Sequence, residues 1–171
     1  MSKTRKLTFI SLLVAQALVL HVIERAIPVP FITPGAKLGL ANLVTVIALY
    51  TFGFKETFAI VVLRIIMAAL LGGSLSSFLY SIAGGILSFF VMFVVMQLGE
   101  ENVSAIGVSV AGAVFHNIGQ VLVASMIVQN IRIVSYLPVL MVAGLGTGIF
   151  IGLTARYLIT YVKKLISYGI N

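Results

Sequence analysis

Cysteine and aspartate are both missing from this 171-residue chain. Without cysteine there can be no disulfide framework, thiolate nucleophile or zinc–thiolate site. Without aspartate the only acids are Glu24, Glu56, Glu100 and Glu101, and no apolar stretch holds two of them. An enzyme that sets several magnesium ions on a diphosphate needs clustered carboxylates as hard oxygen ligands, so that chemistry finds no ligand set here. A phosphate-binding loop of the form GxxxxGK[ST] is missing as well. The nearest Gly-rich run, Gly144-Leu145-Gly146-Thr147-Gly148, has no following Lys and lies inside an apolar segment, which excludes ATP hydrolysis by that route.

Charge is equally scarce. Only 9% of residues are charged, against roughly 25% in a soluble domain, while 61% are hydrophobic and the mean hydropathy is +1.21. Such a composition cannot cover a water-facing surface and points to an integral membrane protein. The net charge of +7 does not indicate nucleic-acid binding, because the cations are scattered singly or grouped at the ends and form no basic stripe interleaved with aromatics. No metal or other cofactor is expected, with His21 and His116 the only histidines.

Apolar runs of a length suited to a hydrocarbon core of roughly 30 Å fall at 7–23, 38–52, 56–71, 76–98, 104–128 and 136–162. They predict an all-α membrane bundle of six helices in a single domain. The first run lacks a small-residue cleavage site, since Glu24, Arg25 and Pro28 follow it, so it reads as a retained helix. The second and third are joined by a tight turn at Gly53-Phe54-Lys55. Six spans put both termini on one side, and the flanking cations on that side (Lys3, Arg5, Lys6, Lys55, Arg156, Lys163, Lys164) outnumber Arg25, Lys37 and Arg132 on the other. That asymmetry predicts cytoplasmic termini in a multi-pass cell-membrane protein. The stretch from Glu24 to Lys37 carries Pro28, Pro30 and Pro34, which stiffen it against a regular helix. It reads either as a rigid connector or as a rim over an outward-facing cavity.

An ionised side chain inside a span is a functional hypothesis by default. Arg64 sits at the middle of the third run, with no acid at comparable depth on another run. It either caps carbonyls of a neighbouring helix or recognises an anion or carbonyl oxygen. His116, Asn117 and Gln120 fall on roughly one face of the fifth run, as helix-to-helix glue or as ligand contacts. Lys37 and Asn42 stand at the outer end of the second run, and Tyr80 and Ser81 lie on the fourth. The small-residue series Gly84 and Ser88, and Gly144, Gly148 and Gly152, read as packing ridges.

Three stretches carry a family resemblance: Pro34-Gly35-Ala36-Lys37-Leu38-Gly39-Leu40-Ala41-Asn42, Tyr80-Ser81-Ile82-Ala83-Gly84-Gly85-Ile86-Leu87-Ser88, and Gly112-Ala113-Val114-Phe115-His116-Asn117-Ile118-Gly119-Gln120. With them the chain resembles, over nearly its whole length, the Gx transporters, a family also labelled heptaprenyl diphosphate synthase component I. That family is in turn similar to the substrate-capture (S) components of energy-coupling factor (ECF) transporters. The resemblance implies a six-helix subunit that is not itself an enzyme. It would bind a small molecule from outside, energised by a transmembrane coupling protein and two ATPase subunits. It places Ser11 and Ala15 on a small-residue ridge that docks on the coupling protein, with Ser11 standing where alanine is usual. The expected ligand is anionic or carbonyl-rich, held by Lys37, Asn42, Arg64, Tyr80, Ser81, His116, Asn117 and Gln120. The alternative is a non-catalytic membrane subunit for isoprenoid or quinone assembly, since a chain without aspartate cannot supply the usual prenyl-elongation site.

Overall fold

The computed structural model describes residues 2–26, 39–72, 74–99 and 102–167. They form six α-helices: α1 (Lys3–Ala26), α2 (Asn42–Phe52), α3 (Phe54–Leu70), α4 (Leu75–Met96), α5 (Ala105–Val128) and α6 (Leu137–Ser167), with a 3-10 segment (Ile131–Tyr136) leading into α6. No strand occurs among the described residues. The chain is thus an all-α bundle. Large apolar side chains such as Leu12, Val19, Leu122, Val142 and Phe150 stand exposed around its outside, an arrangement suited to lipid and unsuited to water. Four of the helices, α1, α4, α5 and α6, are long and apolar enough to cross a membrane, and the protein is a membrane protein.

The two short helices depart from the pattern expected of the sequence. α2 has 11 residues, about 16 Å of helix, so it reaches across only about half of a hydrocarbon core. It begins at Asn42, which is buried. Gly53 is the single non-helical residue between α2 and α3. Phe54 and Lys55, expected in the turn, open α3 instead. Gly53 has φ +85°, and a Cβ there would meet nothing within 4 Å, so the demand for glycine is one of backbone conformation rather than space. α1 also differs from expectation: it continues past Ile23 to Ala26 and takes a buried Glu24 into the helix.

Two of the long helices start on side-chain caps. Ser74 accepts from the Ser77 N–H (3.1 Å) at α4, and Ser104 accepts from the Gly107 N–H (3.4 Å) at α5. α5 lies between α4 and α6, and glycines set both approaches. A Cβ on Gly119 would stand 2.7 Å from the Ala83 carbonyl oxygen of α4, and one on Gly152 would stand 2.6 Å from the Cα of Ile106. The Gly144, Gly148 and Gly152 series therefore packs α6 backbone to backbone against α5.

Lys3 and Ser167 lie at the same end of the bundle, here termed the terminal end. The Lys6 ammonium pairs with the Glu56 carboxylate at the start of α3. Arg5 Nη2 donates to the Leu165 carbonyl in the last turns of α6 (2.7 Å). Phe54, Phe58, Phe89 and Phe93 close this end between α3 and α4, with neighbouring ring centroids 4.7–6.2 Å apart.

Candidate functional site: a polar layer inside the bundle

Arg64 is 4% exposed, and its Nε and Nη2 have no hydrogen-bond partner among the described residues. It lies ten residues into α3 from Phe54, Asn42 lies ten from Phe52 in α2, Gly85 eleven from Met96 in α4, and His116 eleven from Ala105 in α5. At 1.5 Å per residue all four stand about 15–17 Å from the terminal end, close to the middle of a core roughly 30 Å thick. The shortness of α2 thus puts a helix start at the depth of the buried guanidinium.

Two adjacent glycines make room on two sides of α4. A Cβ on Gly85 would lie 3.2 Å from Arg64 Nη2 and 3.1 Å from Ile65 Cδ1, whereas a Cβ on Gly84 would lie 2.9 Å from the His116 carbonyl oxygen and 3.0 Å from Gln120 Cγ. Gly85 therefore faces α3 and Gly84 faces α5. One turn away, Ser81 stacks over Gly85 and Tyr80 over Gly84 by helical register, and both are buried.

On α5, Gln120 Nε2 lies 2.7 Å from His116 Nε2. With the amide donating, the ring accepts there and carries its proton on Nδ1. Gly39 approaches the same ring: with φ +87°, its Cβ would lie 3.3 Å from His116 Cδ2 and 3.0 Å from Asn42 Nδ2. Asn42 Nδ2 is buried and has no partner among the described residues. Arg64, Asn42 and His116 thus share one level, with Gln120, Ser81 and Tyr80 about a turn away.

Asn117 does not join them. Its Nδ2 donates to the Leu140 carbonyl of α6 at 2.7 Å and packs against Gly144, so it faces the α5–α6 seam. The single face expected for His116, Asn117 and Gln120 is split, because consecutive helical residues point about 100° apart and α5 has a neighbour on each side. Lys37 lies outside the described residues.

Glu24 is the residue that reading the sequence missed. It is 4% exposed, and its carboxylate accepts from the backbone N–H groups of Gly39 and, at 3.1 Å, Leu40, just ahead of α2. A carboxylate at that place complements the partial positive charge of the helix start. It is also an electrostatic neighbour of Arg64, so Arg64 is not remote from every acid. The available signal was its spacing from His21: the two are three residues apart on α1, and both are buried.

Ser11 and Ala15 are exposed on α1. With Ile10, Val14, Leu18, Leu63 and Met67 they line a cleft of about 250 Å³ between α1 and α3.

A sequence model of the heptaprenyl diphosphate synthase component I family matches residues 13–158. The chain belongs to that family. No curated protein and no solved structure matches it. Membership in the component I family implies a partner component. The matched region contains the whole polar layer and Ala15, while Ser11 falls just before it.

Proposed function

We propose that this protein is a non-catalytic capture subunit of the cell membrane that binds a small organic molecule in the polar layer and works with partner proteins. The observation that carries the reading is the Arg64 guanidinium, buried at mid-bundle with Nε and Nη2 unpaired among the described residues, at the level of an equally unpaired Asn42 amide. Buried donors without acceptors are costly, and a ligand rich in carboxylate or carbonyl oxygen relieves both at once. Glu24 is engaged by the Gly39 and Leu40 N–H groups, so it offsets the charge of Arg64 without occupying all of its donors. Lys37, Tyr80, Ser81, His116 and Gln120 complete the ligand set, and in this reading Asn117, which bonds the Leu140 carbonyl, serves packing. The chain has no nucleotide-binding loop, so transport energy comes from an ECF-type coupling protein and two ATPase subunits. Both termini are cytoplasmic, and reporter fusions at the two ends test this.

Native mass spectrometry of the purified protein, searching for a co-purifying small molecule, identifies the ligand. Its affinity is then measured on Arg64→Ala. Hydrogen bonds to charged groups contribute roughly 1.5 to 3 kcal/mol, so a loss of about tenfold to a hundredfold with retained melting supports the site. Unchanged affinity with a lowered Tm refutes it and makes Arg64 a structural cap.

The family name favours a second reading, in which the protein is the membrane accessory subunit of a prenyl diphosphate synthase and the partner is the soluble component II. Affinity purification separates the two: ATPases in the complex support transport, and a prenyl synthase supports the accessory role.

A further inference from the structure

The terminal end of the bundle carries a second cavity, of about 510 Å³, remote from the polar layer. It is lined by Tyr50 of α2, Val103 to Ala105 at the start of α5, and Arg156, Ile159, Thr160 and Lys163 of α6. Arg156 and Lys163 are seven residues apart and share a helix face. Ile159 and Thr160, between them in sequence, line the same wall. Neither cation has an ion-pair partner among the described residues, where the acids are Glu24, held at the start of α2, and Glu56, paired with Lys6. Lys163 Nζ lies 6.0 Å from the Tyr50 ring centroid, which draws the ammonium over the cavity from the α2 side. The opposite wall is the start of the 24-residue α5. There Ser104 caps the Gly107 N–H, and helix geometry leaves the Ala105 and Ile106 N–H groups without intrahelical acceptors. Two cations on α6 and the start of α5 thus converge on one space from separate elements.

We infer that this cavity binds a phosphate group, carried either by an anionic lipid headgroup or by a soluble phosphate compound. The chemistry is that of oxyanion recognition: charge-assisted bonds from Arg156 and Lys163 and backbone donors at a helix start. Basic pockets between transmembrane helices are known to seat lipid phosphates. α6 also exposes Leu153, Tyr157 and Tyr161, a surface suited to acyl chains and the headgroup boundary. The site is independent of the polar layer and stands whether or not the capture reading does.

The test uses the full chain in nanodiscs of phosphatidylcholine, with phosphatidylglycerol added in one arm and inorganic phosphate in the other. Retained lipid is counted by native mass spectrometry, and protection is followed by melting temperature. Near a surface each basic residue contributes about 1 kcal/mol to anionic-lipid binding, so Arg156→Gln with Lys163→Gln weakens the preferred anion about thirtyfold. Lys55→Gln, at the same end but not in the cavity wall, leaves binding unchanged. Selective retention of phosphatidylglycerol identifies a lipid source, and protection by inorganic phosphate alone identifies a soluble one. The inference is overturned if the unaltered protein retains phosphatidylglycerol no better than phosphatidylcholine and gains no protection from phosphate. It is equally overturned if a folded double variant binds as the parent does. Should the double variant fail to fold, the arms on the unaltered protein decide the matter.

Discussion

Gly85 of α4 lies against Arg64 of α3, so close that a Cβ on the glycine would stand 3.2 Å from Nη2. The adjacent Gly84 instead faces the backbone of α5, its Cβ position 2.9 Å from the His116 carbonyl oxygen. The two obstacles differ in how far they can give. A guanidinium on a flexible stem moves by tenths of an ångström, whereas a helix carbonyl moves only with its helix. Gly84→Ala therefore lowers stability by about 1–3 kcal/mol through overpacking, and Gly85→Ala lowers it much less. Ligand binding falls in both variants, because a Cβ on Gly85 crowds Arg64 Nη2 and one on Gly84 crowds the His116 ring and the Gln120 side chain. Urea unfolding and ligand affinity on the two variants check this, and equal stability losses would count against it.

Glu24 joins α1 to the start of α2 through Gly39 and Leu40 and acts electrostatically on Arg64. Glu24→Gln keeps a carbonyl acceptor and removes the charge. Favourable charge at a partly buried helix start is worth up to about 2 kcal/mol, so the variant melts at a lower temperature. Arg64→Gln keeps the parental melting temperature, and in its background Glu24→Gln costs less than it does alone. A double-mutant cycle measured by detergent thermal denaturation gives the coupling, and strict additivity refutes an interaction between the two residues.

Asn117 ties α5 to α6 through the Leu140 carbonyl. Membrane hydrogen bonds of this type average about 0.6 kcal/mol and reach about 1.7. Asn117→Ala accordingly costs a modest amount of stability and leaves ligand affinity as it was, while Asn42→Ala lowers affinity. Comparison of melting and binding on the two variants decides the assignment.

The polar set on α5 was legible because His116, Asn117 and Gln120 interrupt an apolar run, and the six helices were legible from the lengths of the runs. Which way each polar residue faces was not, because that depends on α5 being flanked on both sides. Asn117 and His116 look equivalent in sequence, yet they serve different seams. The start of α2 was hidden for a related reason. Leu38 to Phe52 is almost uniformly apolar, so hydropathy marks no boundary, and the helix begins where the Glu24 carboxylate receives the Gly39 and Leu40 N–H groups. Glu24 itself read as loop because prolines follow it at 28, 30 and 34. Gly84, read with Ser88 as a packing ridge, does pack against α5, while its neighbour Gly85 accommodates the side chain at the centre of the candidate site.

The cleft between α1 and α3 supplies the last prediction. Ser11 and Ala15 are one helical turn apart, exposed, and flanked by Ile10, Val14, Leu18, Leu63 and Met67. Small residues on a membrane helix permit close backbone approach by another helix, and an indole at Ala15 would fill the cleft of about 250 Å³. The polar layer lies deeper in the bundle and does not include this surface. Ala15→Trp therefore blocks partner assembly and uptake in cells while the isolated protein keeps its ligand affinity and its melting temperature. Co-purification of partner subunits, measured alongside binding by the purified variant, checks both halves. Full assembly and uptake with the tryptophan in place would remove the cleft as the docking face, and loss of ligand binding would mean that the cleft and the polar layer are not separate.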